Sequence, residues 1–371
     1  MSQPKQVNVG VLGATGTVGQ RFILLLAAHP FFHTTGLGAS PRSAGQPYHR
    51  AVRWKQTSPI PSSVRDIVVK ECKPEEFADC VVIFSGLDAD VAGDIELAFR
   101  AAEFAVFSNA KNHRRDPVVP LIVPLVNSSH LSIIPHQRSL HSLQKGFIVT
   151  NANCSTTGLV VPLAALEHAF GPLESILVTT LQAISGAGYP GVPSLDIFDN
   201  VVPYIGGEEE KMEYETLKIL GGLTEDGKSF DLHSNTPLRV SASCNRVPVI
   251  EGHTEIVSVR FAQRPPPSPE EVRQALASFT PPGIPEESAK VVCPSAPERA
   301  IVVHDVLEVD RPQPRLDRDF QGGAGVNVGR VRECPVLDIK FVLLVNNVAL
   351  GAATSSIINA EIALEKGVIQ V

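Results

Sequence analysis

Val7-Asn-Val-Gly10-Val-Leu12, Gly13-Ala-Thr15-Gly16-Thr17-Val18-Gly19 and Gln20-Arg-Phe-Ile-Leu-Leu-Leu-Ala-Ala28 run on from one another and decide the fold. A short β-branched run, a glycine-rich turn and an amphipathic segment read as strand, turn and helix. Glycines at 10, 13, 16 and 19 permit a tight turn, close approach of a diphosphate to backbone N–H groups, and close packing of the helix. At the head of an α/β chain this unit predicts a dinucleotide site built from Gly13, Thr15, Gly16, Thr17 and Val18.

Working outward, the next strand, Thr34 to Ala39, runs into Ser40-Pro41-Arg42-Ser43-Ala44-Gly45. An NAD site would place an acidic side chain here for the ribose hydroxyls; Ser40, Arg42 and Ser43 suit a 2′-phosphate and so predict NADP. An ordinary polar turn that contains Arg42 fits the same residues. Cys80 to Phe84 then predicts a strand ending at Ser85-Gly86, a cofactor-contacting loop, and Asp88 to Ala102 the helix after it. Phe104 to Phe107 leads into Ser108-Asn109-Ala110-Lys111-Asn112-His113-Arg114-Arg115, and strands over 118–123 and 147–150 complete the first half. Ligands bind at the carboxyl ends of such strands, so the segment after Thr150 emerges on the ligand side.

That segment is Asn151-Ala-Asn153-Cys154-Ser155-Thr156-Thr157, between a strand and the helical Gly158 to Glu167. A thiol at a helix N-terminus sits near the positive end of the dipole, beside unpaired backbone N–H groups that favour a thiolate and a neighbouring oxyanion. Cys154 is therefore a candidate nucleophile. The stretch also fits a small residue ending a strand before a helix cap supplied by Ser155 or Thr156.

Beyond Cys154 the character changes. Residues 177–184, 239–249, 255–261 and 337–345 predict longer strands, several of alternating polarity, hence a mainly antiparallel sheet with one face covered by helices. Leu350 to Lys366 reads as a helix stopped by Gly367 that packs back on the first domain. The expected fold is α/β: an N-terminal Rossmann-like NADP-binding domain, residues 1–153 completed by 349–371, plus an α+β catalytic domain over 154–348. Within the second domain Arg246-Val-Pro-Val-Ile-Glu-Gly-His253 offers an arginine that can grip a carboxylate in a bidentate fork and an imidazole suited to proton transfer. A Gly-His pair before a strand also fits a turn, and the chain has eleven histidines.

Composition narrows the class. The 371 residues allow about two domains of ordinary size. Hydrophobic residues make up 43% and charged residues 19%, which suits a soluble globular enzyme. A formal net charge of −7 with scattered histidines leaves no basic footprint, so neither nucleic acid nor membrane is an expected partner. The polar start Met1 to Val7 lacks a signal-peptide pattern, which predicts a cytoplasmic protein. The six cysteines show no metal-ligand spacing, so free thiols and no metal are expected.

These motifs together resemble aspartate-β-semialdehyde dehydrogenase, in the branch found in fungi and archaea. The likeness extends over nearly the whole chain: Gly10 to Gly19 resembles the family's nucleotide loop, Ser108-Asn109-Ala110 with Arg114 its phosphate-side segment, and Asn151 to Thr157 its cysteine motif. Arg246 to His253 resembles its arginine-then-histidine motif, and Asn346-Asn347-Val-Ala-Leu-Gly351-Ala-Ala its C-terminal cofactor segment. Two departures stand out: Thr354, where the family pattern leads to glycine, and the glycine-rich Gly322-Gly-Ala-Gly325.

The resemblance implies roles for single residues. Cys154 would be the nucleophile, His253 the acid/base, and Gln182 the side chain orienting a thioester. Arg246 would hold the substrate α-carboxylate and Glu208 its ammonium, while Arg114, Asn109 and Lys211 would hold phosphate or the acyl phosphate. Asn347 would lie near the nicotinamide amide. The implied reaction is NADPH-dependent reductive dephosphorylation of L-4-aspartyl phosphate to L-aspartate 4-semialdehyde and phosphate, in lysine, threonine and methionine biosynthesis, by a homodimer or homotetramer associating through the second domain. Malonyl-CoA reductase and N-acetyl-glutamyl-phosphate reductase share the scaffold or the chemistry, and a nucleotide-binding sensor would share the fold alone.

Overall fold

A computed structural model describes residues 6–234, 236–284 and 289–371; Met1 to Lys5 of the polar start lie outside them. Seven parallel strands form the first sheet, in the order β3 (Lys70–Glu71), β2 (Phe32–Ala39), β1 (Val7–Leu12), β4 (Val82–Ser85), β5 (Ala105–Ser108), β7 (Phe147–Asn151) and β6 (Leu121–Ile122). Strand order reverses between β1 and β4, which opens the crevice where doubly wound sheets bind ligands. The helix after β1 spans Thr17–Leu26, three residues earlier than its apolar pattern suggests, because Gly16 in extended conformation serves as its N-cap. The strand expected over 118–123 shrinks to the two residues of β6.

The second sheet has six strands, in the order β11 (Ile301–Val303), β12 (Val326–Glu333), β13 (Ile339–Val345), β10 (His253–Phe261), β8 (Leu173–Gln182) and β9 (Arg239–Arg246). Its three central pairings are antiparallel, as expected, but both edge pairings, β11 with β12 and β8 with β9, are parallel. The sheet is therefore mixed. Alternation puts His253, Glu255, Val257 and Val259 of β10 on the buried face, while Ile256 points to the exposed one.

The helix Cys154–Phe170 packs on the buried face against β8, β10, β12 and β13. Most of its residues from Ser155 to Leu166 are buried, which is why it lacks a polar stripe. A helix over Glu208–Leu220 lies against it and against β9. The C-terminal helix Thr354–Glu365 crosses back over β4, β5 and β7, preceded by a π-helical turn over Ala349–Ala353. Thr354 starts that helix in a buried setting. Gly323 packs so closely on Asn346 that a Cβ would come within 2.8 Å of it, and its φ of +75° favours glycine. The glycine-rich segment is thus a close approach of two loops.

Candidate active site

At the β1–β4 reversal lies a cleft of about 830 Å³, lined by all five residues expected from the glycine loop: Gly13, Thr15, Gly16, Thr17 and Val18. Gly13 has φ +70°, and a Cβ there would come within 2.6 Å of the Gly86 carbonyl oxygen, so the two strand-end loops touch as backbone. Ser40 and Gly86 also line the cleft. Arg42 and Ser43 do not: Ser43 and Ala44 N–H both donate to the Ser40 carbonyl, and the resulting turn leaves Arg42 exposed beyond the lining. The basic side chains of the cleft are instead Arg53, Lys55 and Lys73, which strand-end reasoning missed because they lie past the β2 terminus. Ser85 is fully buried behind the lining, and its carbonyl accepts from the Asn109 N–H (3.1 Å) and Nδ2 (3.2 Å).

Asn153, the residue before Cys154, is the cap of the Cys154–Phe170 helix. Its Oδ1 accepts from Ser155 N–H (3.0 Å) and Thr156 N–H (3.1 Å), so capping falls to Asn153 and not to Ser155 or Thr156. Cys154 is then the first helical residue. Its Sγ lies 3.2 Å from His253 Nε2. Gly351, in the π-helical turn, presses against it so that a Cβ would come within 2.8 Å of the Cys154 Cβ.

His253 begins β10 and is completely buried. Ala183 N–H donates to its Nδ1 (3.0 Å), so the neutral ring carries its hydrogen on Nε2, directed at the sulfur. Burial, with the Arg246 guanidinium nearby, pushes its pKa down to about 3. Burial and then the Glu208 carboxylate push the Cys154 thiol up to about 12, against the opposing influence of Arg246, Arg114 and the Ser155 N–H. The resting pair is thus a neutral thiol and a neutral imidazole, not a thiolate–imidazolium pair.

Arg246 ends β9 and is buried; its Nη1 donates to the Ala183 carbonyl (2.8 Å), the residue whose N–H holds His253. Gly186 completes this corner, since a Cβ on it would sit 2.8 Å from Arg246 Nη1 and 3.2 Å from His253 Nε2. Asn347 ties the corner to the chain beyond: its Oδ1 accepts from Gly252 N–H (2.9 Å) and its Nδ2 donates to Ser185 Oγ (2.8 Å). Ala187, Gly188 and Tyr189, the next residues, line the dinucleotide cleft. One loop therefore touches both the corner of Arg246 and His253 and the cleft.

Glu208 and Lys211 form an ion pair of 3.0 Å on the Glu208–Leu220 helix. Glu208 is buried, yet its pKa is lowered: the penalty of burial is the largest influence, and Lys211, Asn153 and Gln182 together overcome it. Gln182 is buried and donates to Thr180 Oγ1 (3.2 Å). Arg114 donates to Glu215 Oε1 (2.9 Å) and to the Asn109 carbonyl (2.9 Å). Asn109 spends its own amide on Ser85, Ser356 and Asn151, so its side chain braces the loop.

Sequence reasoning missed Glu215, Lys218 and Glu255. An acidic stretch reads as a solvated surface, but in a helix the charges at 208, 211, 215 and 218 fall on one face, and that spacing was the available signal. Glu255 is fully buried beneath the site, and neither carboxyl oxygen finds a partner among the described residues. Burial, reinforced by Glu208, raises its pKa well above the carboxylate range, so it is a neutral acid. Among the described residues all six cysteines are free, no group of three His, Cys, Asp or Glu is placed to hold a metal ion, and no helix is long and apolar enough to cross a membrane.

Comparison with known proteins gives a consistent picture. Residues 8–134 match the family described as semialdehyde dehydrogenase, NAD binding domain, and residues 163–350 the one described as semialdehyde dehydrogenase, dimerisation domain. The aspartate-semialdehyde dehydrogenase of Cryptococcus neoformans is 68% identical over 372 residues, covering 100% of both chains. That of Trichophyton rubrum is 55% identical, covering 99% of both. Among solved structures, the Candida albicans enzyme with NADP superposes with a TM-score of 0.89 at 52% identity, over 98% of this chain and 100% of that one.

Proposed function

The chain belongs to the aspartate-semialdehyde dehydrogenase family, and from that premise we propose that it reduces L-4-aspartyl phosphate to L-aspartate 4-semialdehyde and phosphate through a thioester on Cys154. The observation that carries this reading is the 3.2 Å contact of Cys154 Sγ with His253 Nε2, in a site that also holds buried Arg246 and Glu208. A carboxylate binder and an ammonium binder beside one thiol suit an amino acid acyl phosphate. The cleft of glycine backbone and basic side chains fits NADP: Gly13, Thr15, Gly16, Thr17 and Val18 would hold the diphosphate, and Ser40 with the neighbouring basic residues the 2′-phosphate. When bound, NADPH supplies the hydride that reduces the thioester.

The protein's own groups do the rest. Arg246 grips the substrate carboxylate and Glu208 the ammonium, which places the acyl carbon over Cys154. Pairing the ammonium with Glu208 removes the second of the two influences, after burial, that raise the thiol pKa, so substrate binding shifts the thiol towards thiolate. The sulfur attacks the acyl carbon as thiolate, its proton leaving with the phosphate that departs towards Arg114 and Lys211, and Gln182 orients the thioester. His253 then lends its Nε2 hydrogen to the oxygen of the reduced intermediate and recovers it as the carbon–sulfur bond breaks, so the aldehyde is released and the sulfur leaves as a thiolate that takes a proton from water. Asn347 sets the loop that carries Ser185 and Gly186.

The two sheets divide the labour: residues 1–153 with 349–371 hold the cofactor, and residues 154–348 carry substrate binding and self-association. A homodimer or homotetramer is supported by the dimerisation-domain match and by Leu177, Ile256, Leu195 and Phe198, which expose apolar surface on or beside the second sheet. A free catalytic thiol suits the reducing cytoplasm.

The test compares phosphate-dependent NADP reduction with aspartate semialdehyde, N-acetyl-glutamate semialdehyde, and malonate semialdehyde plus CoA. Only the first should turn over efficiently; preference for either other substrate would reassign the enzyme, and NADP binding without any turnover would make it a sensor. In the same assay Arg246→Lys should raise the KM for aspartate semialdehyde by about tenfold or more, since lysine lacks the bidentate fork; an unchanged KM would remove Arg246 from the site. Gly186→Ala should cost about 100-fold in kcat/KM, because the added methyl displaces Arg246 and His253 together. Its NADP affinity, followed by fluorescence titration, should stay near the parent value.

A further inference from the structure

We propose that Glu215 is a positioning residue that locks the phosphate-side arginine and the cap of the nucleophile's helix into one geometry. The proposal deepens the reading above and rests on its assignment of Cys154 and Arg114. Glu215 is buried, at 2% exposure. Its two oxygens have two separate tasks: Oε1 accepts from Arg114 Nη1 at 2.9 Å, and Oε2 accepts from the backbone N–H of Asn153 at 2.6 Å. Asn153 is the residue that caps the helix begun by Cys154. The carboxylate therefore connects the guanidinium directly to the thiol-bearing helix.

Its neighbours on the same helix make that connection stiff. Two turns earlier, Glu208 Oε1 accepts from Asn153 Nδ2 at 2.6 Å, so Asn153 is held by its side chain and its backbone from one helix. Nearly one turn later, buried Lys218 donates to the carbonyls of Arg114 (2.8 Å), Asp116 (2.8 Å) and Val119 (2.9 Å). The Glu208–Leu220 helix thus acts as a splint between two segments far apart in sequence. A carboxylate suits the position because both partners are donors. An amide would satisfy one and turn an N–H towards the other.

If Glu215 only filled space, its loss would lower stability without a selective change in phosphate handling. If it positions, phosphate binding and thiol reactivity change together. The experiment uses the full-length protein and its Glu215→Gln and Glu215→Asp variants. Cys154 alkylation by iodoacetamide is followed from pH 6 to 9 with and without inorganic phosphate, the site being confirmed by peptide mass mapping. Phosphate-dependent NADP reduction with aspartate semialdehyde supplies kcat and the phosphate KM. We expect Glu215→Gln to raise the phosphate KM and lower kcat by about tenfold or more each, to shift the alkylation profile, and to leave the KM for NADP within about twofold. Glu215→Asp keeps the charge but shortens the reach, and should fall between Gln and the parent.

A folded Gln variant, judged by its melting temperature, whose phosphate KM and alkylation profile both stay within twofold of the parent would overturn the proposal. Should the Gln variant fail to fold, a folded Asp variant indistinguishable from the parent would overturn it equally. If the parent itself showed no phosphate-dependent reduction, the functional reading would fall, while the alkylation comparison would still decide whether Glu215 holds the thiol.

Discussion

Cys154→Ser is expected to lower phosphorylating turnover by at least about 10⁴-fold while leaving NADP affinity within about twofold of the parent. Serine keeps nearly the same volume beside Gly351, where the close packing leaves no room for a larger side chain. It also keeps the helix cap, because the capping oxygen belongs to Asn153. What it loses is the polarisable, ionisable sulfur: even with Arg246, Arg114 and a helix N-terminus beside it, a hydroxyl does not reach the anionic form that attacks an acyl phosphate. The dinucleotide cleft lies at the ends of β1 and β4 and shares no residue with Cys154, so fluorescence titration of NADP should barely change. Quench-flow detection of phosphate release in one turnover would settle the point. A serine variant that released phosphate in a burst would show that the acyl transfer needs no thiolate.

How much of this was legible in the sequence depended on whether a feature was written locally. The glycine loop, β1, β4 and β5 were readable because a buried parallel sheet demands short apolar runs, and tight turns demand glycine at fixed spacing. Strands β11 and β12 were not. β11 has only three residues, and β12 is interrupted by a register shift between Gly329 and Arg332, where Arg330 takes φ +55°, so its alternation breaks midway. The parallel pairing of β8 with β9 was equally hidden, since alternation fixes which face a side chain takes and not the direction of the neighbouring strand.

The site divides in the same manner. Cys154 announced itself through its place between strand and helix, whereas His253, one of eleven histidines, was singled out by family resemblance and then found at 3.2 Å from the sulfur. Helical spacing puts Glu215 and Lys218 on one face with Glu208 and Lys211, but their partners, Asn153 and Arg114 with its segment, lie far away in sequence, and burial of charge is meaningful only once those partners are known. Arg42 is a case that local sequence leaves open: hydrogen bonds within its turn leave it exposed beyond the cleft lining, where Arg53, Lys55 and Lys73 supply positive charge.

His253→Ala should lower kcat by about 10²–10⁴-fold, the usual range for removing a positioned proton donor. More telling is the comparison with His253→Gln. Ala183 N–H holds Nδ1, so the ring offers only its Nε2 hydrogen, and a glutamine could in principle reproduce that pattern with an accepting oxygen and a donating amide. An amide can donate a hydrogen bond but does not surrender its proton. If His253 acts as an acid, the Gln variant will turn over as slowly as the Ala variant, while its Cys154 alkylation rate stays closer to the parent. Turnover within about tenfold of the parent would instead make His253 an orienting donor. The pH dependence has a fixed sign. With a folded pKa of about 3 against 6.5 for an ordinary imidazole, His253 stays neutral throughout the assay range and adds no limb near pH 6.5 to the kcat/KM profile. Between those two values the unfolded chain binds a proton that the folded protein refuses, so this residue's contribution to stability is full above pH 6.5 and is lost as pH falls towards 3. Denaturant unfolding of His253→Ala across that window should therefore show a shallower loss of stability in acid than the parent, and parallel curves would mean that the imidazole is not held neutral.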